Sequence, residues 1–146
     1  MKFRKDHAAS YLANHMARLF TRGLLARIKP LGLGVGALPA LLELWEKDGL
    51  TQKELVLRLD IEQATMANTL GRMERDGLIT REQDLDDGRV RRIRLTNRAR
   101  ALRAPALKAV RERNAEALAD LTEAEREVFL DLMRRTIETM KRGADG

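Results

Sequence analysis

Two amphipathic helical runs, parted by a break of a few residues and followed at once by a charged hairpin, constrain this chain more than any other feature. Thr51 to Glu54 reads TQKE, a capping box in which the Thr51 hydroxyl and the Glu54 carboxylate reciprocally satisfy first-turn amides. A helix therefore starts at Gln52 and runs to about Leu59. After the break at Asp60 and Ile61, the run Gln63 to Asp76 puts Met66, Leu70 and Met73 on one stripe, and Gly77 supplies a C-terminal stop. Gly71 inside it costs about 1 kcal/mol. Leu78 to Glu82 and Val90 to Leu95 then alternate as half-exposed strands, with Ile93 and Leu95 on one face and Arg92 and Arg94 on the other. They form a hairpin with Asp87 and Gly88 as the expected turn.

The flanks are helical. Leu12, Met16, Leu19, Phe20, Leu24 and Ile28 recur at spacings of three and four, which predicts a helix from Asp6 to about Lys29, stopped by Pro30. LGLGVG, Leu31 to Gly36, connects it to a second helix over Ala37 to Lys47, whose first turn accommodates Pro39 and whose end is Gly49. Trp45 reads as core of this helix. Thr96 is placed as the N-cap of a helix over Asn97 to Ala119, with a kink at Pro105. TEAE, Thr122 to Glu125, is a second capping box opening a last helix to about Lys141, and Gly143 to Gly146 is expected to be disordered.

At 146 residues the chain is the size of one domain with a proper core. It has no cysteine, which excludes disulfides, thiolate metal sites and thiol redox sensing, and fits a cytoplasmic location. The two histidines, His7 and His15, lack carboxylate partners at ligand spacing, so no metal or other cofactor is expected. No apolar stretch is long enough to cross a bilayer, and no signal peptide is read at the start. Lys plus Arg total 28 against 22 Asp plus Glu, a net charge of +6 that favours a polyanionic partner. With aromatics at 3%, base stacking on rings is a poor mechanism, and duplex phosphates and grooves become the expected target.

Helix, short break, helix and arginine-rich hairpin is the order of a winged helix-turn-helix, whose second helix enters the major groove. If Met66, Leu70 and Met73 face the core, then Ala64, Thr65, Asn68, Arg72 and Arg75 turn outward. Asn can pair with adenine and Arg with guanine through two hydrogen bonds, and Thr can meet a thymine methyl or a phosphate. At the hairpin tip Arg89 suits the negative potential of a minor groove, and Asp87 can fix its guanidinium. Arg91, Arg92 and Arg94 are then expected to meet phosphates.

With these residues in place, the sequence resembles the MarR family of bacterial transcriptional regulators over nearly its whole length. GLTQKELVLRLDIEQATMANTLGRMERDGLITRE, Gly49 to Glu82, and DLDDGRVRRIRLTNRARAL, Asp84 to Leu102, carry the resemblance, including the Asp-x-Arg wing and the Leu-Thr entry to the next helix. It implies a mainly α fold with a small β-hairpin wing and an obligate homodimer built from the first and last two helices. It also implies a palindromic operator and often a small-molecule ligand that weakens DNA binding. On this reading residues 1–146 form a single MarR-like domain, with a winged lobe over 31–98 and a dimerisation region over 1–30 and 99–142. The chain departs from the pattern at Asp60, where glycine is usual, at Glu62, a weaker N-cap, at Asn68, where arginine is common, and at Ala99, where glycine follows the wing.

A small aromatic or anionic ligand would find His15, Arg18 and Arg22 on the first helix, near where that family's pocket opens. The competing assignment for His15 is a dimer-face or surface residue. An enzyme would need a nucleophile with its base, or a carboxylate pair in a cleft, and no spacing here suggests either. The alternative to DNA binding is a winged-helix module that binds protein. Such a module calls for an apolar or acidic outer face on Gln63 to Asp76, whereas this one is polar and carries two arginines.

Overall fold

The computed structural model describes residues 2–144. In chain order the elements are α1 (Ala9–Ile28), α2 (Leu38–Glu46), α3 (Gln52–Leu59), α4 (Gln63–Arg75), β1 (Ile79–Gln83), β2 (Arg91–Leu95), α5 (Asn97–Ala117) and α6 (Glu123–Ala144). Single 3-10 turns precede α1 and follow it. The chain divides into two compact units, 1–110 and 111–146.

In the first unit the α4 stripe anticipated from the spacing lies in the core, whereas of the α1 run only Ile28 is buried. Leu41 and Leu44 of α2, Leu55 of α3, and Met66, Leu70 and Met73 of α4 are buried with Ile28, Leu50, Leu78, Ile79 and Ile93. The Thr51 capping box closes in both directions: Glu54 N–H donates to the Thr51 hydroxyl at 3.1 Å, and Thr51 N–H donates to the Glu54 carboxylate at 3.2 Å. That bond, aided by the nearby Arg92, holds the Glu54 carboxyl below the usual range. Between α3 and α4 the chain turns through Asp60 in the left-handed conformation, φ 54° and ψ 40°. Aspartate is one of the few side chains that tolerates this region, which is why the usual glycine is dispensable.

β1 and β2 pair antiparallel, with Ile79 opposite Leu95 and Gln83 opposite Arg91. The chain before α3 adds to the outer edge of β2: Gly49 N–H donates to the Ile93 carbonyl at 3.0 Å and Ile93 N–H to the Leu50 carbonyl at 2.8 Å. Trp45, half-buried, donates from Nε1 to the Ala99 carbonyl at 3.0 Å, joining α2 to the first turn of α5. The Thr96 hydroxyl caps that turn, accepting from Ala99 N–H at 3.1 Å and donating to the Gly77 carbonyl at 2.7 Å.

α5 includes Pro105. Two expectations change. α6 includes Gly143 and Ala144, which the sequence assigned to a disordered tail; Asp145 and Gly146 lie outside the described residues. The wing turn also moves by one residue. Val90 N–H donates to the Asp87 carbonyl at 3.0 Å, so Gly88 and Arg89 occupy its centre, and Gly88 is not among the glycines with positive φ. An Asp-Gly hairpin turn would need positive φ. Here the Asp87 carboxylate instead accepts from Arg89 N–H at 3.0 Å, a side-chain turn that works without it.

In the second unit, the Thr122 capping box is complete at 2.9 and 3.1 Å. Among the described residues no α6 side chain is buried. Val128, Leu132, Met133, Ile137 and Met140 are all exposed and repeat at helical spacing.

Candidate nucleic-acid interface

The outer face of α4 carries the residues that the stripe leaves outside. Ala64, Thr65, Asn68, Arg72 and Arg75 are all exposed, while Met66, Leu70 and Met73 beneath them are buried. The face is therefore fixed in phase by the core and free to meet a partner. Arg81 on β1 reaches Glu74 at 3.7 Å, tying the wing's first strand to this helix. Glu62, at the N-cap of α4, makes no side-chain capping bond, so the amides at that end are not closed by their own cap.

Asp84 N–H donates to the Val90 carbonyl at 2.8 Å and closes the wing loop. Asp87 then holds Arg89 through three bonds, accepting from Arg89 N–H at 3.0 Å, from Nε at 3.2 Å and from Nη2 at 3.4 Å. Those bonds hold the Asp87 carboxyl below its ordinary range. Arg89 is nevertheless 92% exposed, so its charge projects into solvent on a short, oriented stalk. Arg91 is exposed beside it.

Arg92 and Arg94 sit differently. Expected as phosphate ligands, both are already paired within the chain. Arg92 meets Asp84 at 2.8 Å, and its Nη1 donates to the Gly49 carbonyl at 3.0 Å. Arg94 Nε donates to Glu82 at 2.9 Å, and its guanidinium lies against Gly49, a glycine with φ 85°. The alternation that put Arg92 and Arg94 on one face is correct. The same face is also where acidic residues of the wing base gather, which strand periodicity does not reveal.

Two basic residues outside the sequence-based candidates share a hollow with the wing. Lys53 in the first turn of α3 and Arg81 on β1 line a cleft of about 330 Å3 with Thr51, Gln52, Arg89 and Arg91. The signal was present in the capping box, since a residue two places after the cap lies in the first turn, beside the wing. A second hollow, about 170 Å3, lies between Gly34, Gly36 and Ala37 on one side and Thr69, Arg72, Met73 and Asp76 on the other. His15, Arg18 and Arg22 are exposed on α1 and line neither cleft; the His15 ring stands edge-on to Tyr11 with centroids 6.4 Å apart. Among the described residues, no group of three or more His, Asp or Glu is placed to hold a metal ion, and no helix is long and apolar enough to cross a membrane.

A family model described as the MarR family matches residues 36–90. The transcriptional regulator HosA of Escherichia coli is 34% identical over 94 residues, covering 64% of this chain and 70% of the relative. The HTH-type transcriptional repressor Mb2911 of Mycobacterium bovis is 28% identical over 130 residues, 89% of this chain and 94% of the relative. Among solved structures, a probable transcriptional regulator from Pseudomonas aeruginosa superposes with a TM-score of 0.84 at 29% identity, covering 91% of this chain and 99% of that one. A MarR family protein of Mycobacterium tuberculosis, in complex with salicylic acid, superposes with a TM-score of 0.69 at 27% identity, covering 88% and 96%.

Proposed function

The chain belongs to the MarR family of transcriptional regulators, and from that premise we propose that it is a homodimeric repressor that reads a palindromic operator and is released by a small aromatic or anionic ligand. The observation that carries the reading is the juxtaposition of two features in one unit: a polar outer face on α4 and a wing whose tip arginine is held by its own aspartate. In the proposed complex α4 lies in the major groove. Asn68, Arg72 and Arg75 then meet base edges or nearby phosphates, with Ala64 and Thr65 against apolar edges. Arg89 enters the adjacent minor groove, and Arg91, Lys53 and Arg81 face the backbone between the two.

Dimerisation is supported by two sets of exposed apolar side chains, the row on α6 in the second unit and Tyr11, Leu12, Leu19 and Leu25 on α1 in the first. Two copies related by a two-fold axis would present two recognition helices to two half-sites, hence the palindrome. Repression is supported by the relative named as a repressor, and an aromatic carboxylate as effector by the relative bound to salicylic acid. His15, Arg18 and Arg22 are the cations proposed for that ligand.

Selecting duplexes from a random pool with the purified chain, followed by footprinting of the retained sequence, tests the reading. The expected result is an inverted repeat with half-sites about one helical turn apart. Retention of no duplex above background at low salt would refute it and favour a protein-binding winged helix.

A further inference from the structure

Arg92 stands at the meeting point of three chain segments that are distant in sequence. Its Nε and Nη2 reach Asp84 at 2.9 and 2.8 Å, at the base of the wing loop. Its Nη1 donates to the carbonyl of Gly49, ahead of α3, and lies 3.7 Å from Glu54, the capping carboxylate of α3. Thr51 is paired with Arg92 across an isolated β-bridge, so the backbone at this point is also joined to the start of α3.

Two consequences follow from charge and donor count. The Arg92 guanidinium faces two carboxylates, Asp84 and Glu54, which offset its charge before any phosphate arrives. Nε, Nη1 and Nη2 of Arg92 each have a partner within the chain, so three of its five N–H donors are engaged and the planar fork is held in one orientation. The Asp84 side chain is only 13% exposed and is engaged on both oxygens: Oδ2 takes Arg92, while Oδ1 accepts from Asp86 N–H at 2.8 Å. A path of contacts therefore runs from the start of α3 through Arg92 and Asp84 into the loop that carries Asp87 and Arg89.

We propose that Arg92 is a positioning residue that latches the wing to the capped start of α3, and so aims Arg89, without itself contacting DNA. This rests on the DNA-binding reading above for its consequence, but the latch itself is a property of the free chain.

Two measurements on the full chain separate the possibilities. Amide exchange at residues 84–90 of the free protein is expected to quicken about tenfold in Arg92→Ala and in Asp84→Asn, and to stay unchanged in Arg91→Ala. Anisotropy titrations on the selected duplex and on a scrambled one, over a range of salt, form the second arm. Arg92→Ala is expected to weaken the selected duplex about tenfold with its salt slope unaltered, and Arg91→Ala to reduce the slope by about 0.9 on both duplexes. Combining Arg92→Ala with Asp84→Asn should add little beyond either alone. If Arg92→Ala melts far below the wild type, Arg92→Lys serves: it keeps the charge but cannot span Asp84 and Gly49, so the latch expects the same loosening, and a phosphate contact expects near-normal binding. Unchanged exchange at 84–90, or a slope reduced by the loss of Arg92, would overturn the proposal. If the wild type binds neither duplex, the DNA-binding reading fails by itself, and the exchange arm still decides the latch.

Discussion

Asp87 accepts from both the backbone amide and the guanidinium of Arg89, at 3.0 and 3.2 Å, although the two residues are separated only by Gly88. An acidic residue thereby fixes the direction of a cation whose side chain is 92% exposed. Its own charge is largely matched by the arginine that it holds. Removing it should therefore weaken DNA binding, even though a negative charge is lost. Asp87→Ala is expected to cost about 1 kcal/mol and Arg89→Ala about 1–3 kcal/mol on the selected duplex, read by anisotropy. Tighter binding by Asp87→Ala would mean that the carboxylate merely repels phosphate.

The exposed Asn68 occupies the middle of the α4 face, where arginine is common in the family. Asn68→Ala should lower the preference for one base pair in each half-site by about 1–3 kcal/mol while leaving affinity for scrambled duplex nearly constant. Binding to a panel of single-base operator variants checks this. A uniform loss across the panel would place Asn68 on the backbone.

The Glu54 cap carries a pH signature. Its carboxyl is held below the usual range, mainly by the Thr51 amide, so the bond contributes to stability in full above the unfolded pKa. That contribution is lost as pH falls through the lower, folded value. Melting temperature should therefore decline below about pH 4.5 more steeply in the wild type than in Glu54→Gln, whose amide still accepts the Thr51 bond and does not titrate there. Parallel slopes in thermal melts from pH 3 to pH 7 would show that the cap does not contribute.

Gly49 has φ 85°, and a Cβ there would overlap the Arg94 guanidinium. Backbone strain and the displaced arginine together should make Gly49→Ala destabilising by about 1–3 kcal/mol, seen in urea melts. Gly71, with open space around it and an ordinary helical position, should behave in the opposite sense, Gly71→Ala gaining about 0.5–1 kcal/mol.

Oligomerisation is tested on α6. If the chain assembles as proposed, placing charge in the exposed apolar row, as in Met133→Asp with Ile137→Asp, should yield a monomer or an aggregating species in sedimentation experiments where the wild type sediments as a dimer. A soluble dimer retained by the double variant would remove α6 from the interface.

The outer face of α4 was legible because it is the complement of a core stripe: once Met66, Leu70 and Met73 are inside, helical geometry places Asn68 and Arg72 outside. The capping boxes were legible for a similar reason, being local rules with fixed spacing. Arg92 was not. Strand alternation states which face it occupies, but its partners Asp84, Glu54 and Gly49 lie 8, 38 and 43 residues away, and only the fold brings them together. The turn at Gly88 was misplaced because Asp-Gly suggests a positive φ that a side-chain bond from Asp87 makes unnecessary.

The Thr96 hydroxyl donates a hydrogen bond to the Gly77 carbonyl, just past the end of α4, and accepts one from Ala99 N–H in the first turn of α5. One oxygen thus ties the end of α4 to the first turn of α5, although the whole β1–β2 hairpin separates them along the chain. The two helix ends are joined across space, so the length of the wing between them can vary without parting them.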